Sequence, residues 1–163
     1  MKSLITIIFF IFSPVIYADN FTSKNEPVLT ITGNIQGDNG SQTIDFNIAM
    51  LETMPSHTLH TETTWTSGIQ TFKGVLIKTL LDSISSTGQT LTAHALNDFQ
   101  IDIPVSDIEQ YPVIIAYQQN GKYMAIRNKG PLWIIYPESD FPELNRPSIK
   151  NRWIWQLKEI KVQ

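Results

Sequence analysis

Apolar and polar residues alternate over Val28-Leu29-Thr30-Ile31-Thr32 and again over Thr43-Ile44-Asp45-Phe46. The cluster Gly37-Asp38-Asn39-Gly40 between them is turn-forming, so the pattern predicts a β-hairpin. Ile48 to Met54 reads as a short helix stopped at Pro55, and the threonine-rich stretch Thr58 to Thr63 as an extended strand. After the loop Thr64-Trp65-Thr66-Ser67-Gly68, residues 75 to 81 place apolar side chains at i, i+1, i+4 and i+5 around Lys78 and Thr79. That spacing predicts the clearest helix of the chain, ending near Ser85-Ser86-Thr87-Gly88.

In the second half, Leu91 to Leu96 and Phe99 to Ile103 form a second hairpin pattern, turned at Asn97-Asp98 and closed by Pro104. Val113 to Tyr117 and Leu132 to Tyr136 are continuous apolar runs of strand length, and Asn120-Gly121 is the strongest hairpin signal. The stretch from Pro137 to Pro147, rich in proline and acid, reads as a structureless connection. From Trp153 the apolar positions are odd up to Leu157 and even at Ile160 and Val162, so a last strand should carry a bulge near Lys158-Glu159. No internal repeat and no low-complexity tract interrupts the pattern. Short strands, tight turns and one good helix predict a β-rich α+β domain and exclude a doubly wound parallel sheet.

The first 18 residues read as an address: Lys2, an apolar run from Leu4 to Phe12, and Ile16-Tyr17-Ala18 as a cleavage site. The run is shorter than the roughly 20 residues of a spanning helix, so export with cleavage, to a periplasmic or similar compartment, is expected over a retained anchor. The expected organisation is a signal peptide at 1–18, a polar leader at 19–27 and one domain at 28–163, with no membrane insertion after cleavage. Composition narrows the chemistry. The absence of cysteine removes disulfides, thiolate metal sites and cysteine nucleophiles. Twelve scattered cations against fifteen acids give no basic face for nucleic acid.

His57 and His60 are three apart, which puts them on opposite faces of a strand, so they and His94 are expected to be exposed or locally hydrogen-bonded and not metal ligands. No serine sits in a Gly-x-Ser-x-Gly turn, and no glycine-rich loop could cradle a phosphate. The unusual residues gather at four loops: Thr64-Trp65-Thr66, Asn97-Asp98-Phe99, Arg127-Asn128-Lys129-Gly130-Pro131 and Asn151-Arg152-Trp153. If these converge they form a pocket with aromatic walls, cations and amides, suited to a small anionic or heteroaromatic ligand. The competing reading places Trp153 and Trp155 in the core and leaves Arg127 a solvated cation.

Several blocks of the chain stand in an order that resembles the molybdopterin-binding domain of the sulfite-oxidase superfamily: Leu29 to Gly33, Phe72 to Leu81, Ala95 to Phe99 with Ile103-Pro104, Ala116-Tyr117 with Asn120-Gly121, Lys129 to Pro137, and Arg152 to Leu157. The resemblance covers residues 28 to 162 and implies a strand-rich α+β fold, a mixed, barrel-like sheet with one main helix and short ones. In that family a cysteine thiolate from the loop before the tryptophan ligates molybdenum. Here the corresponding Glu62-Thr63-Thr64-Trp65 offers only hydroxyl and carboxylate groups, and a hard hydroxyl does not replace a soft thiolate. The family's Gly-Gly-Pro motif with a following arginine also becomes Lys129-Gly130-Pro131-Leu132-Trp133.

Two functions follow as expectations. The first is a non-catalytic binding or sensing module, with a membrane sensor as its partner and no resident cofactor. In it Arg127, Lys129 and Arg152 neutralise charge, Trp65 and Phe99 stack, and Asn97 and Asp98 set specificity beside Thr64. The second is a molybdopterin-dependent oxidoreductase with Thr64 or Asp98 next to the metal.

Overall fold

Residues 24–36 and 40–163 are described by a computed structural model. The expected signal peptide, most of the expected leader and the tip of the first hairpin therefore lie outside the described residues. The first hairpin itself is present. β1 (Pro27–Gly33) pairs antiparallel with β2 (Thr43–Asn47), with Ile31 opposite Ile44. Asn47 then caps α1 (Ile48–Thr53), its side-chain oxygen accepting the Met50 N–H at 2.8 Å. α1 buries Ile48 and Leu51 and stops ahead of Pro55.

β3 (Ser56–Thr61) starts and ends two residues before the expected strand and pairs antiparallel with β4 (Gln70–Leu76). β4 corrects the sequence reading, in which Val75 and Leu76 opened the helix. They continue the strand instead, opposite Ile115 and Ile114, because an apolar doublet satisfies either period and the buried neighbour strand decides. The helix is the shorter α2 (Ile77–Ser83), burying Ile77, Leu80 and Leu81. β5 (Thr90–Ala95) and β6 (Gln100–Pro104) form the second hairpin, with Asp98 at φ +64° in its turn. α3 (Val105–Gln110), which no periodicity announced, follows at once and buries Ile108.

β7 (Ile114–Gln119) turns at Asn120-Gly121, both at positive φ, into the two-residue β8 (Lys122–Tyr123). The buried run near 133 is β9 (Trp133–Ile135), antiparallel to β7. The stretch from 137 to 147 is not structureless: a single 3-10 turn, Pro142–Leu144, buries Leu144, and Pro147 opens α4 (Pro147–Lys150). Proline at a first helical position gives up no needed hydrogen bond, so the residues that read as breakers act as starters. The last strand, β10 (Leu157–Val162), carries its register shift between Leu157 and Glu159, where the change of parity placed a bulge.

The strands form two open sheets, ordered β2-β1-β10-β5-β6 and β3-β4-β7-β8, with β9 also on β7. This corrects the barrel-like expectation: neither sheet closes on itself, since β2 and β6 remain edges of the first and β3 an edge of the second. A mixed α/β arrangement of two large sheets results, with the parallel β1–β10 pair inside the first. Both sheets and the helices α1, α2 and α3 contribute to one continuous apolar core. No helix among the described residues is long and apolar enough to cross a membrane.

Gly74 shows how tightly β4 meets β7. A Cβ at this position would stand 2.1 Å from the Ile115 carbonyl oxygen, which is backbone and cannot turn aside. Gly74→Ala is expected to cost about 1–3 kcal/mol by overpacking, measured as a lower urea midpoint at unchanged m-value.

Candidate functional site

All four tryptophans of the chain meet in one place. Trp133, fully buried on β9, presents its ring to Phe72 at 5.4 Å, Trp65 at 6.2 Å and Trp155 at 6.3 Å. Trp65 stands 6.0 Å from Trp153 and 5.3 Å from Trp155, and Tyr136 stacks on Trp153 at 6.1 Å. These tilted and edge-to-face contacts are the geometry that ring quadrupoles favour. The Trp133 indole N–H donates to the Trp153 carbonyl at 3.2 Å, and Trp133 and Trp155 form an isolated antiparallel bridge.

Over this cluster lies a cavity of about 240 Å³, walled by Trp65, Trp153, Trp155 and Phe99 and edged by Asn97 and Lys150. Its opening is set by three loops. The Trp65 loop is held by an ST-turn, in which the Thr63 hydroxyl accepts the Trp65 N–H at 3.1 Å and meets the Thr66 hydroxyl at 2.8 Å. Ser139 fixes the start of that loop, accepting the Glu62 N–H at 3.0 Å while its own N–H reaches the Thr61 hydroxyl at 3.1 Å. The hairpin tip follows, with Asn97 accepting the Phe99 N–H at 3.2 Å and Phe99 left 48% exposed. The third loop runs from Lys150 to Gln156.

Of the residues in the loops singled out from the sequence, Trp65, Asn97, Phe99, Asn151 and Trp153 line this cavity. Thr64 is exposed beside it, outside the lining. Asp98 pairs with Lys158 at 2.9 Å, and the lysine holds its carboxyl below the ordinary aspartate value. Lys129, at φ +69°, extends its ammonium to 5.6 Å from the Trp133 ring centre. Arg127 lies apart, in a separate depression with Lys122 and Tyr123. Arg152 is bound to Asp107 of α3, whose carboxylate also accepts the Tyr136 hydroxyl at 3.0 Å. Burial, and then Asp107 itself, push that buried hydroxyl well above the ordinary tyrosine value. Lys150 and Trp155 line the site without having been singled out for it, and of the two only Trp155 carried a signal, its aromatic side chain two residues from Trp153.

Two buried polar atoms here have no partner among the described residues, the Trp153 indole N–H and Glu138 Oε2. The other Glu138 oxygen sits 3.6 Å from the Lys150 ammonium. Each unpaired buried group costs about 1–3 kcal/mol, and such groups are few in folded proteins. Gln156 adds a third irregularity, at φ +52°, with both its backbone polar groups and its side-chain amide nitrogen engaged. Its N–H donates to the Lys129 carbonyl at 3.0 Å, its carbonyl accepts the Leu96 N–H at 2.9 Å, and its side-chain amide donates to Ile126 at 2.8 Å.

No group of three or more histidine, cysteine or acidic residues that could hold a metal occurs among the described residues. The histidines are scattered, with His60 hydrogen-bonded to Thr71 at 3.1 Å. The residues present do not fit a molybdenum pterin. The chain has no thiolate, the Thr63 hydroxyl is spent in its turn, Arg152 is committed to Asp107, and the cavity is below the roughly 300–1,000 Å³ of most ligand pockets.

Arg152 follows the pocket's sequence neighbours but works in the structure, its side chain 20% exposed against 13% for Asp107. Arg152→Ala would leave the Asp107 carboxylate without its charge partner. It is expected to lower the unfolding free energy by about 3 kcal/mol, read by urea denaturation.

No family model and no curated protein matches the sequence. Among solved structures, the chain is similar to the sulfane dehydrogenase SoxCD from Paracoccus pantotrophus, at a TM-score of 0.64 and 17% identity over 88% of this chain. It spans 40% of that enzyme's chain. At this identity the likeness establishes the fold alone: the protein is a cysteine-free domain structurally and distantly related to the sulfite-oxidase molybdopterin-binding fold.

Proposed function

We propose that this protein is a non-catalytic, exported ligand-binding domain that holds a small planar heteroaromatic molecule in the tryptophan-walled cavity. The observation that carries the reading is the convergence of Trp65, Trp153, Trp155 and Phe99 on one cavity from three separate loops. Aromatic walls gain most from a flat ring laid against them, through buried area and quadrupole complementarity. Asn97 at the edge supplies both a donor and an acceptor, which a heteroaromatic ring can use and a plain hydrocarbon cannot.

The anionic alternative has less support. Arg152 is neutralised by Asp107, Lys150 faces Glu138, and Arg127 lies in another depression. A catalytic role has no support from the site, where no nucleophile with an adjacent base and no soft metal ligand lines the cavity.

Because three tryptophans wall the cavity, intrinsic fluorescence reports its occupancy. A panel of one- and two-ring nitrogen heterocycles is expected to yield saturable quenching together with thermal stabilisation, about 2.7 kcal/mol at a hundredfold excess over the dissociation constant. Phe99→Ala, an exposed position, should weaken that binding about two- to tenfold, the worth of one aromatic contact, with the fold intact. Absence of any saturable binder, or affinity unchanged in Phe99→Ala, overturns the assignment of this cavity.

A further inference from the structure

The margins of the two sheets are not equally protected. β2 carries Asp45 and faces a register shift in β1, and β6 carries Asp102 and ends in Pro104. β8 is two residues long and charged through Lys122, and β9 is covered, since Ile134 donates its N–H to the Ile154 carbonyl at 3.0 Å. Such charges, prolines, bulges and short lengths are how proteins keep a sheet from adding further strands. β3 has none of them. Its six residues, Ser-His-Thr-Leu-His-Thr, contain no lysine, acid, proline or glycine. Its ladder with β4 runs unbroken from Ser56 opposite Val75 to Thr61 opposite Gln70, and no strand lies on its other side among the described residues.

We infer that β3 is a self-association edge, pairing antiparallel with β3 of a second copy across a two-fold axis to continue the second sheet from one protomer into the other.

Two features favour a copy of this chain over a foreign strand. Strand addition draws its affinity from main-chain hydrogen bonds and its sequence selectivity from pockets for alternate side chains. No β3 residue lines the tryptophan-walled cavity or the depressions around Pro27, Lys78 and Arg127, so what the edge offers a partner is mainly its backbone. The strand is also its own complement. With Thr58 opposite Thr58, Ser56 meets His60 and His57 meets Leu59, so each residue faces one of its own parity. The solvent-facing set Ser56, Thr58 and His60 stays on one face, and His57, Leu59 and Thr61 on the other. A strand without lysine, arginine or acid, repeated against itself, sets none of these opposite one another. The contact is that of a single short strand pair, smaller than a permanent interface, so the dimer is concentration-dependent.

Sedimentation velocity of the purified chain over a concentration series tests this. Wild type should pass from monomer to dimer as concentration rises, whereas Thr58→Lys, which sets two lysines opposite each other, should weaken association about tenfold or more. Thr58→Glu should do the same, and an equimolar mixture of the two variants should dimerise again, which a general loss of structure could not produce. Thr43→Lys on the β2 edge serves as control and should leave association unchanged. A wild type that stays monomeric up to about 1 mM, leaving the edge to some foreign strand, overturns the inference. So does a dimer indifferent to Thr58→Lys, or a mixture that fails to restore it.

Discussion

The burial of Trp133 is the constraint on which the rest of this structure depends. β9 is only three residues long, yet it pairs with β7 on one side and receives the 153–157 segment on the other. The Trp133 N–H reaches the Trp153 carbonyl, Ile134 donates to Ile154, and Leu157 donates to the Leu132 carbonyl at 3.0 Å. Leu157 is also the first residue of β10, the strand that sits between β1 and β5 in the other sheet. The segment from Trp153 to Leu157 therefore joins the two sheets, and the fully buried Trp133 indole beside it helps fix where it lies. A side chain of that size has few rotamers and many contacts once buried, so its neighbours must adapt to it.

That adaptation explains the irregular backbone beside the cavity. The segment meets β9 and its flank through the Ile154 carbonyl, the Trp155–Trp133 bridge and the Leu157 N–H, and between these contacts Gln156 leaves the strand conformation at φ +52°. Asp98 and Lys129, both at positive φ, occupy the two loops that Gln156 contacts on either side. Sparsely populated conformations of this kind persist only where surrounding contacts over-determine them. Together with the unpaired Trp153 N–H, they concentrate local cost in one small region of an otherwise regular fold. Core packing alone would have removed that cost, whereas a surface shaped for a ligand has reason to keep it.

Much of this architecture is legible in the sequence because it rests on local patterns. Asn120-Gly121, Asn97-Asp98 and the parity change before Ile160 each encode a turn or bulge in a few adjacent residues. β4 was not legible, since Val75 and Leu76 fit a helix or a strand and only β7 decides between them. The openness of the two sheets is likewise a matter of which edges find partners, information that no single segment contains. The same holds for the cations of the site. Arg152 and Asp107 are 45 positions apart, so nothing near Arg152 announces that its charge is already matched. Aromatic residues are more transparent, because their size forces them into contact wherever they land; cations are ambiguous, because solvent, an acid or a ligand can each satisfy them.

The Trp65 loop is braced by hydroxyl groups of its own and of a distant residue. The stretch Glu62-Thr63-Thr64 leads into the tryptophan. It places Thr63 where its hydroxyl accepts the Trp65 N–H and meets the Thr66 hydroxyl, a turn that satisfies itself. A hydroxyl so engaged is a poor ligand for any metal, but it is an effective brace for the indole that follows it. Ser139 adds a second brace from the far side of the chain, through the Glu62 N–H and the Thr61 hydroxyl. The hydroxyls of Thr61, Thr63, Thr66 and Ser139 thus brace the turn that holds Trp65 over the cavity, against Trp153 and Trp155. What the loop presents is an aromatic face held by local hydrogen bonds, the surface against which the proposed planar ligand would stack.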